Sequence, residues 1–461
     1  MAPSLQSTRT SRTTTFASSF RNILLLGLAT FASADFDVTT FGFALDGTVQ
    51  DTTPADLFDT TAVCAAPRNW YPYKGDWSAW TQRPMCIDTE PNNAMGVNTQ
   101  TFCTYANANF ADGRGIVLVT SPRVIETILK VPAFAKPSSI AGMNDLINGA
   151  FGPPPYVPHV FPMKGIGLVA NRSLSRGERI MQETPTWIYD RGMFGVVEER
   201  DRLPMHWHGV YMLPKEARDE LLALHGAHGG DFVDDLMRTN AFGAYYTDQD
   251  MHNNLLPRIS RFNHDCRPNA HYYFDPMTMT QYVHAIREIM PNEEILINYT
   301  DGETPYQERQ AATMVSWGFA CSCSICRQPA DHIAASDNRI AQIHSIKEKL
   351  NDWTTPQPDR TKMAELLIDL YKQERLHAPI ATAFEAAAYA YSVIGDRYNT
   401  IKYAGQAVEA LTILYGADHD LTVDLAGMMN EPETHRTWKF SVKEDGDEAG
   451  DDIVEATTTS G

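Results

Sequence analysis

Three cysteines, Cys321, Cys323 and Cys326, lie within six residues of one another in this chain. Thiolates that dense can converge on one tetrahedral ion at about 2.3 Å, but a closed structural zinc site takes four ligands. A fourth has to arrive from elsewhere, so the backbone must fold back on this short segment. Only seven cysteines occur in the 461 residues, too few for a disulfide scaffold and odd in number. Cys64, Cys86 and Cys103 have irregular gaps without the paired knuckles of a zinc finger; they allow at most one disulfide and one spare thiol. That leaves Cys266, set in the polar run Asn263-His-Asp-Cys-Arg-Pro-Asn269, as the nominated fourth ligand. The competing reading of the trio is a set of buried or redox thiols.

At about 100 to 200 residues per domain, the length predicts two to four folded units. Lys and Arg number 38 against 57 Asp and Glu, so the net charge is 38 − 57 = −19. That balance argues against a protein that tracks nucleic-acid phosphates and suits a basic partner. No stretch approaches the roughly 20 apolar residues of a spanning helix, which excludes a polytopic membrane protein and stable membrane insertion of the processed chain.

Residues 1–34 lack Asp and Glu, carry Arg9, Arg12 and Arg21, and run through Ile23–Ala32 to Ala32-Ser-Ala34. This reads first as a secretory signal cleaved after Ala34, second as a mitochondrial transit segment, third as a frayed terminus. Residues 35–158 form a Thr-, Asn- and Pro-rich stretch with Trp70, Trp77 and Trp80, expected to be irregular, with one helix near Pro122 to Leu129 and a linker at Pro153-Pro-Pro155.

Two further segments join the cysteines. Lys164-Gly-Ile-Gly-Leu-Val-Ala170 followed by Leu174–Ile180 predicts a strand, a turn at Gly177 and a second strand. Alone it is no dinucleotide fingerprint, and a plain hairpin is the simpler reading. In the run from Arg258 to Ala270, Asn263, His264, Cys266 and Asn269 need partners if buried, because an unpaired polar group costs about 1 to 3 kcal/mol. His264 alone would read as a satisfied core histidine. An aromatic strand is expected at His271 to Phe274.

Together these residues resemble the SET-domain protein lysine methyltransferases. Asn263-His-Asp-Cys-Arg-Pro-Asn269 is similar to the family's Asn-His-x-Cys-x-Pro-Asn signature, Glu293–Tyr299 to the strand ending in its active-site tyrosine, and Phe319 with the cysteine trio to its post-SET segment. The pattern covers about residues 160–328, with 184–257 as the variable insert, in which Thr239-Asn-Ala-Phe242 resembles a further cofactor-contacting element. The subfamily most resembled is the SET and MYND type. Departures are the missing MYND zinc module, since no cysteine falls between 104 and 265, and Trp317 where a tyrosine is usual.

The resemblance implies S-adenosylmethionine as cofactor and zinc as structural metal. It implies Tyr299 as the catalytic residue, with Lys164, Gly165, Gly167, Asn240, Asn263, His264, Tyr299 and Phe319 around the cofactor. Trp317 and Phe319 would wall the lysine channel, and Cys266, Cys321, Cys323 and Cys326 would bind zinc. For Tyr299 the bland alternative is a packing tyrosine at a strand end.

After Pro329 the helical period appears over Ile340–Leu350, Lys362–Glu374, Pro379–Gly395 and Thr400–Tyr415. Tyr391, Ile394, Gly395, Tyr398 and Ala407 fall at the offsets of one tetratricopeptide unit, better read as a helical hairpin on neighbouring helices. Glu444–Glu455, with seven acidic residues of twelve, reads as a disordered tail.

The expected fold is α+β: a β-rich SET fold of short sheets with an inserted helical segment, then an all-α region. Expected units are 1–34, 35–158, a SET domain at 159–312, a post-SET segment at 313–328, helices at 329–442 and a tail at 443–461. Two functions compete: a methyltransferase acting on a lysine of a basic protein without direct nucleic-acid contact, and a catalytically silent SET scaffold binding a basic peptide or partner. The thiol chemistry favours cytoplasm or nucleus; the N-terminus favours secretion. The sequons Asn171-Arg-Ser173 and Asn298-Tyr-Thr300 sit inside the motifs, and a glycan at the second would block the channel.

Overall fold

The computed structural model describes residues 70–90, 99–136, 153–246, 251–355 and 357–440. Residues 1–34, Cys64 and the acidic run after Glu444 lie outside them, so expectations there are not addressed.

The strands, in chain order, are β1 (Tyr71–Pro72), β2 (Met85–Asp88), β3 (Thr101–Asn107), β4 (Ile116–Thr120), β5 (Tyr156–Phe161), β6 (Gly165–Ala170) and β7 (Arg179–Glu183). They continue with β8 (Trp187–Asp190), β9 (Ala241–Tyr245), β10 (Met251–Leu255), β11 (Asn263–His264), β12 (Ala270–Asp275), β13 (Thr280–Ala285) and β14 (Glu294–Ile297). Three sheets result, in the orders β1-β2-β3-β4-β8-β10-β9, β11-β14-β6-β5 and β12-β13-β7. With a helical C-terminal region, the fold is α+β, as expected.

Two differences from the sequence reading concern partners. Glycine-bearing β6 and its successor β7 are not a hairpin: β6 pairs with β5 and β14, whereas β7 pairs with β13 in another sheet. Gly177 still makes the turn between them, at φ +84°. The stretch expected to be irregular contributes β1 to β4, and β4 joins β8 of the insert as a parallel neighbour. Thr101, Thr104 and Asn107 interrupt the apolar residues of β3, whose middle five residues are all buried, although Thr suits a pleated surface. Every residue of β4, Ile-Val-Leu-Val-Thr, is buried, as suits a central strand covered on both faces. Cys86 and Cys103 face each other on β2 and β3 and form a disulfide, the single pair those cysteines allow.

The expected helix here is α1 (Pro122–Ile128). The insert holds helices α2 (Glu199–Met212), α3 (Lys215–Leu222) and α4 (Phe232–Asn240) besides β8, β9 and β10. Asp231 caps α4 by accepting from the amides of Val233 and Asp234. Helix α5 (Tyr306–Trp317) ends at Gly318, whose φ of +72° turns the chain into the cysteine segment.

Helices α6 (Ala330–Asn351), α7 (Arg360–Glu374), α8 (Ile380–Val393), α9 (Arg397–Tyr415) and α10 (Asp420–Asn430) make the C-terminal region. Helix α6 starts ten residues before the apolar period because its first turns are solvated; only Ile340, Ile343, Ile346 and Leu350 are buried. Helices α8 and α9 pack on each other around Gly395, and α9 also meets β12 and β13. Alanines 381, 383, 387, 388 and 390 are the buried residues that let α8 approach its neighbours.

A buried ion pair locks these helices to the β-rich part. Arg267 donates to a carboxylate oxygen of Glu374 at 2.7 Å, with side chains 2% and 3% exposed, and also to the carbonyls of Cys266 and Gly302. Glu374 further accepts from Arg339 at 2.6 Å and from Ser336 at 2.7 Å. A Glu374→Ala variant strands the Arg267 charge in the interior. It should lose roughly 3 to 5 kcal/mol of unfolding free energy in a denaturant titration; a loss below about 1 kcal/mol would show the pair to be dispensable.

Candidate active site and metal centre

Cys266 follows the two-residue strand β11, and the cysteine trio follows α5. The fold brings the Cys266 Sγ to 3.8 Å from that of Cys321 and 3.7 Å from that of Cys326, and all four sulfurs lie within 4.8 Å of one another. A tetrahedron with bonds of about 2.3 Å has edges of about 3.8 Å, so the sulfurs fit one zinc ion. Gln310 on α5 anchors the segment by donating its amide to the Cys321 carbonyl at 2.8 Å.

β11 lies parallel to β14, with Asn263 opposite Leu296 and His264 opposite Ile297, so the polar motif runs beside the strand that leads to Tyr299. The Tyr299 amide donates to His264 Nδ1 at 3.0 Å. A backbone N–H can only donate, so Nδ1 is unprotonated and Nε2 carries the ring hydrogen, 3.5 Å from the Cys266 sulfur. Burial pushes His264 down to about 4, which keeps the ring neutral. One imidazole thus bridges the tyrosine backbone and the sulfur cluster.

The Tyr299 hydroxyl donates to the Phe262 carbonyl at 2.7 Å. Burial raises the phenol pKa, so the group stays protonated. Its ring stands 5.0 Å from that of Trp317 and 5.3 Å from that of His264, while Phe319 lies 6.1 Å from His264. Trp317 is held by its indole N–H donating to the Thr239 carbonyl at 3.0 Å, which ties α5 to the end of α4. Phe242 and Tyr272, perpendicular to each other at 5.0 Å, pack on the same apolar cluster as Tyr299.

The two glycines serve different needs. Gly165 has φ +75° and open space where a Cβ would stand. Gly167 is buried beneath Asn263, and a Cβ there would lie 2.5 Å from the Asn263 amide nitrogen and 2.9 Å from the Phe161 ring. Beside this turn Glu294 accepts from Lys164 Nζ and from the Asn263 amide, each at 2.8 Å. Asn240 stands one residue after the Thr239 carbonyl that holds Trp317, but its amide donates to the carbonyls of His225 and Leu236, ending α4.

Sequence reasoning missed Glu294, Phe262 and Tyr272. Glu294 carried a readable signal, a charge on a strand otherwise made of Ile and Leu; the Phe262 contribution is a backbone carbonyl and leaves no trace in residue type.

Residues 165–300 match the family model described as SET domain. Histone-lysine N-methyltransferase set5 of Schizosaccharomyces pombe is 25% identical over 296 residues, 59% of this chain and 83% of that protein. Histone-lysine N-methyltransferase ATXR2 of Arabidopsis thaliana is 36% identical over 96 residues, 20% of either chain. A SET and MYND domain-containing protein of Dictyostelium discoideum is 37% identical over 67 residues, 14% of this chain and 19% of its own length. The strand carrying Tyr299, the polar motif laid beside it and these likenesses lead to one identification: the chain carries a SET domain, with histone-lysine methyltransferases and SET and MYND proteins among its relatives.

Proposed function

We propose that the chain is an S-adenosylmethionine-dependent methyltransferase acting on a lysine side chain of a basic protein. The observation that carries this reading is the enclosure of the Tyr299 phenol by Trp317 and His264, with its hydroxyl proton committed to Phe262. A protonated phenol cannot act as a base, but its oxygen lone pairs, fixed in an aromatic enclosure, can accept from an amine. Free lysine, with pKa about 10.4, is only about 0.1% neutral near pH 7.4, so a channel walled by Trp317 and Phe319 favours the neutral amine by excluding water. Tyr299 then holds that amine in line for reaction.

The cofactor, when bound, supplies an electrophilic methyl on a sulfonium. Its methionine part is a zwitterion, and the open backbone at Gly165 beside Lys164, Glu294 and Asn263 offers both charges and an amide. Lys164, Gly165, Gly167, Asn263 and His264, with Asn240, Tyr299 and Phe319, are the residues we assign to hold it. The sulfur tetrahedron supports zinc at Cys266, Cys321, Cys323 and Cys326, where it would clamp the segment carrying Phe319.

Tyr299→Phe removes only the hydroxyl. Turnover on lysine-bearing protein should fall about 10²-fold or more, with cofactor affinity by calorimetry little changed. An unchanged rate would make Tyr299 a packing residue; cofactor binding with no methyl transfer to any protein of a cell extract would favour the silent scaffold.

Elemental analysis should find a single zinc on the purified chain, lost in Cys323→Ser together with cofactor-dependent activity. Full loading of Cys266→Ala would refute the fourth ligand.

We place the working pool in the cytosol or nucleus, because a four-thiolate site is harder to keep reduced in an oxidising lumen. The Cys86–Cys103 disulfide favours the second reading, export. A C-terminally tagged full chain expressed in a eukaryotic host should stay inside the cell with Asn171 and Asn298 unglycosylated. Secretion cleaved after Ala34 with a glycosidase-sensitive mass shift would sink that placement.

A further inference from the structure

Glu183 and Arg258 stand at the two ends of the insert: β7 finishes at Glu183, and Arg258 opens the short 3₁₀ turn Ile259–Arg261 that leads to Phe262. The Glu183 carboxylate is fully buried, and what it holds is the start of that turn. Its Oε2 accepts from the amides of Arg258 at 3.1 Å and Ile259 at 2.9 Å, the first shared with Oε1 at 3.3 Å. Oε1 also accepts from the guanidinium of Arg114, whose side chain is 9% exposed just before β4. The Arg258 side chain is held in turn by Glu220 on α3, at 2.8 Å. Beyond the turn the bonds continue, since the Phe262 amide donates to the Ile259 carbonyl at 3.1 Å and the Phe262 carbonyl accepts the Tyr299 hydroxyl at 2.7 Å. Hydrogen bonds joined by peptide units therefore run without a break from Arg114 through Glu183, Ile259 and Phe262 to the tyrosine.

A neutral Ser, Thr or Asn can satisfy a first-turn amide, so capping alone does not call for a buried charge. A buried ion pair also adds little net stability over apolar packing. What the carboxylate contributes is geometry: two acceptor oxygens facing three donors leave the turn one place to sit. We infer that Glu183, neutralised by Arg114, is a positioning residue for Tyr299. It fixes the turn that presents the Phe262 carbonyl, which captures the hydroxyl hydrogen and leaves the oxygen lone pairs for the substrate amine. The inference rests on the methyltransferase reading and adds to it a residue that acts from a distance. It also gives the stretch before the SET domain, through Arg114, a direct hold on the tyrosine. Because the effect passes through the Tyr299 hydroxyl, it must vanish when that hydroxyl is removed.

The test is a mutant cycle on the full chain, comparing wild type, Glu183→Gln, Tyr299→Phe and the double variant. Methyl transfer from radiolabelled S-adenosylmethionine to the acid-soluble basic proteins of a cell extract gives the rate, and calorimetry gives the cofactor affinity. Gln keeps the shape of Glu but turns an N–H toward groups that only donate. Glu183→Gln should slow transfer about tenfold with cofactor affinity unchanged. It should slow the Tyr299→Phe chain by no more than about twofold further, because residues in one hydrogen-bond network are not additive. Amide hydrogen exchange over residues 256–262 should be faster in Glu183→Gln than in wild type, a readout independent of activity. Equal slowing in both backgrounds would make Glu183 a structural residue and overturn the assignment, as would an unchanged rate or unchanged exchange. Should Glu183→Gln not fold, the same cycle with Arg114→Gln, which leaves the carboxylate without its counter-charge, decides by the same outcomes. These results overturn the Glu183 assignment alone, whereas a wild-type chain that binds cofactor and transfers no methyl overturns the methyltransferase reading with it.

Discussion

Convergence of Cys266 with Cys321, Cys323 and Cys326 is the constraint on which the rest of the site depends. The two partners are 55 residues apart in sequence, yet their sulfurs stand 3.8 Å apart. Closing that distance sets the end of the β11 motif under the turn that leaves α5. Trp317 then stands beside Tyr299, and Phe319 beside His264. His264 joins the halves, with one ring nitrogen serving the Tyr299 amide and the other facing the Cys266 sulfur. Any movement of the sulfur cluster therefore reaches the tyrosine through a single rigid ring.

The neighbouring residue carries a second constraint outward. Cys266 faces the sulfurs while Arg267, next in the chain, is sealed against Glu374 at the end of α7. Glu303 repeats the arrangement just beyond Tyr299, where its carboxylate meets Lys347 at 2.8 Å and the Tyr371 hydroxyl at 3.0 Å, and its carbonyl meets His344. Buried charges of this kind add little net stability over apolar packing but are costly to break singly. Their effect is registry: the helices can dock on the β-rich part in one arrangement, because any other strands a charge. The C-terminal region thus belongs to the architecture of the site, although among the described residues none of its side chains hydrogen-bonds to Tyr299 or meets its ring.

Legibility in the sequence followed from how local each interaction is. The polar motif, the cysteine trio and the strand before Tyr299 were readable because each is a short run with unusual chemistry. Helices α7, α8 and α9 were readable where burial imposes the apolar period, whereas the solvated first turns of α6 carry no such period. The roles of Glu294 and Phe262 were not readable, although the lone charge of Glu294 on an apolar strand marked its position. Each acts through a partner distant in sequence: Lys164 and Asn263 for Glu294, the Tyr299 hydroxyl for Phe262. The hairpin reading of β6 and β7 failed for the same reason, since strand type is local and strand partnership is not.

Partnership also explains the N-terminal strands. β4 is buried on both faces, and β8, its parallel neighbour, has Trp187, Ile188 and Tyr189 buried. Two such strands cannot be left at an edge without exposing apolar surface and unpaired backbone. The insert alone supplies only β8, β9 and β10, so β8 would be an edge without β4. The Tyr189 hydroxyl donates to the Met237 carbonyl on α4, and α4 in turn leads to the Thr239 carbonyl that holds Trp317. The stretch before the SET domain therefore closes the sheet that supports the insert, and the insert fixes the indole beside Tyr299. Its Thr- and Asn-rich composition hides a load that passes, in three steps, to the enclosure of the tyrosine.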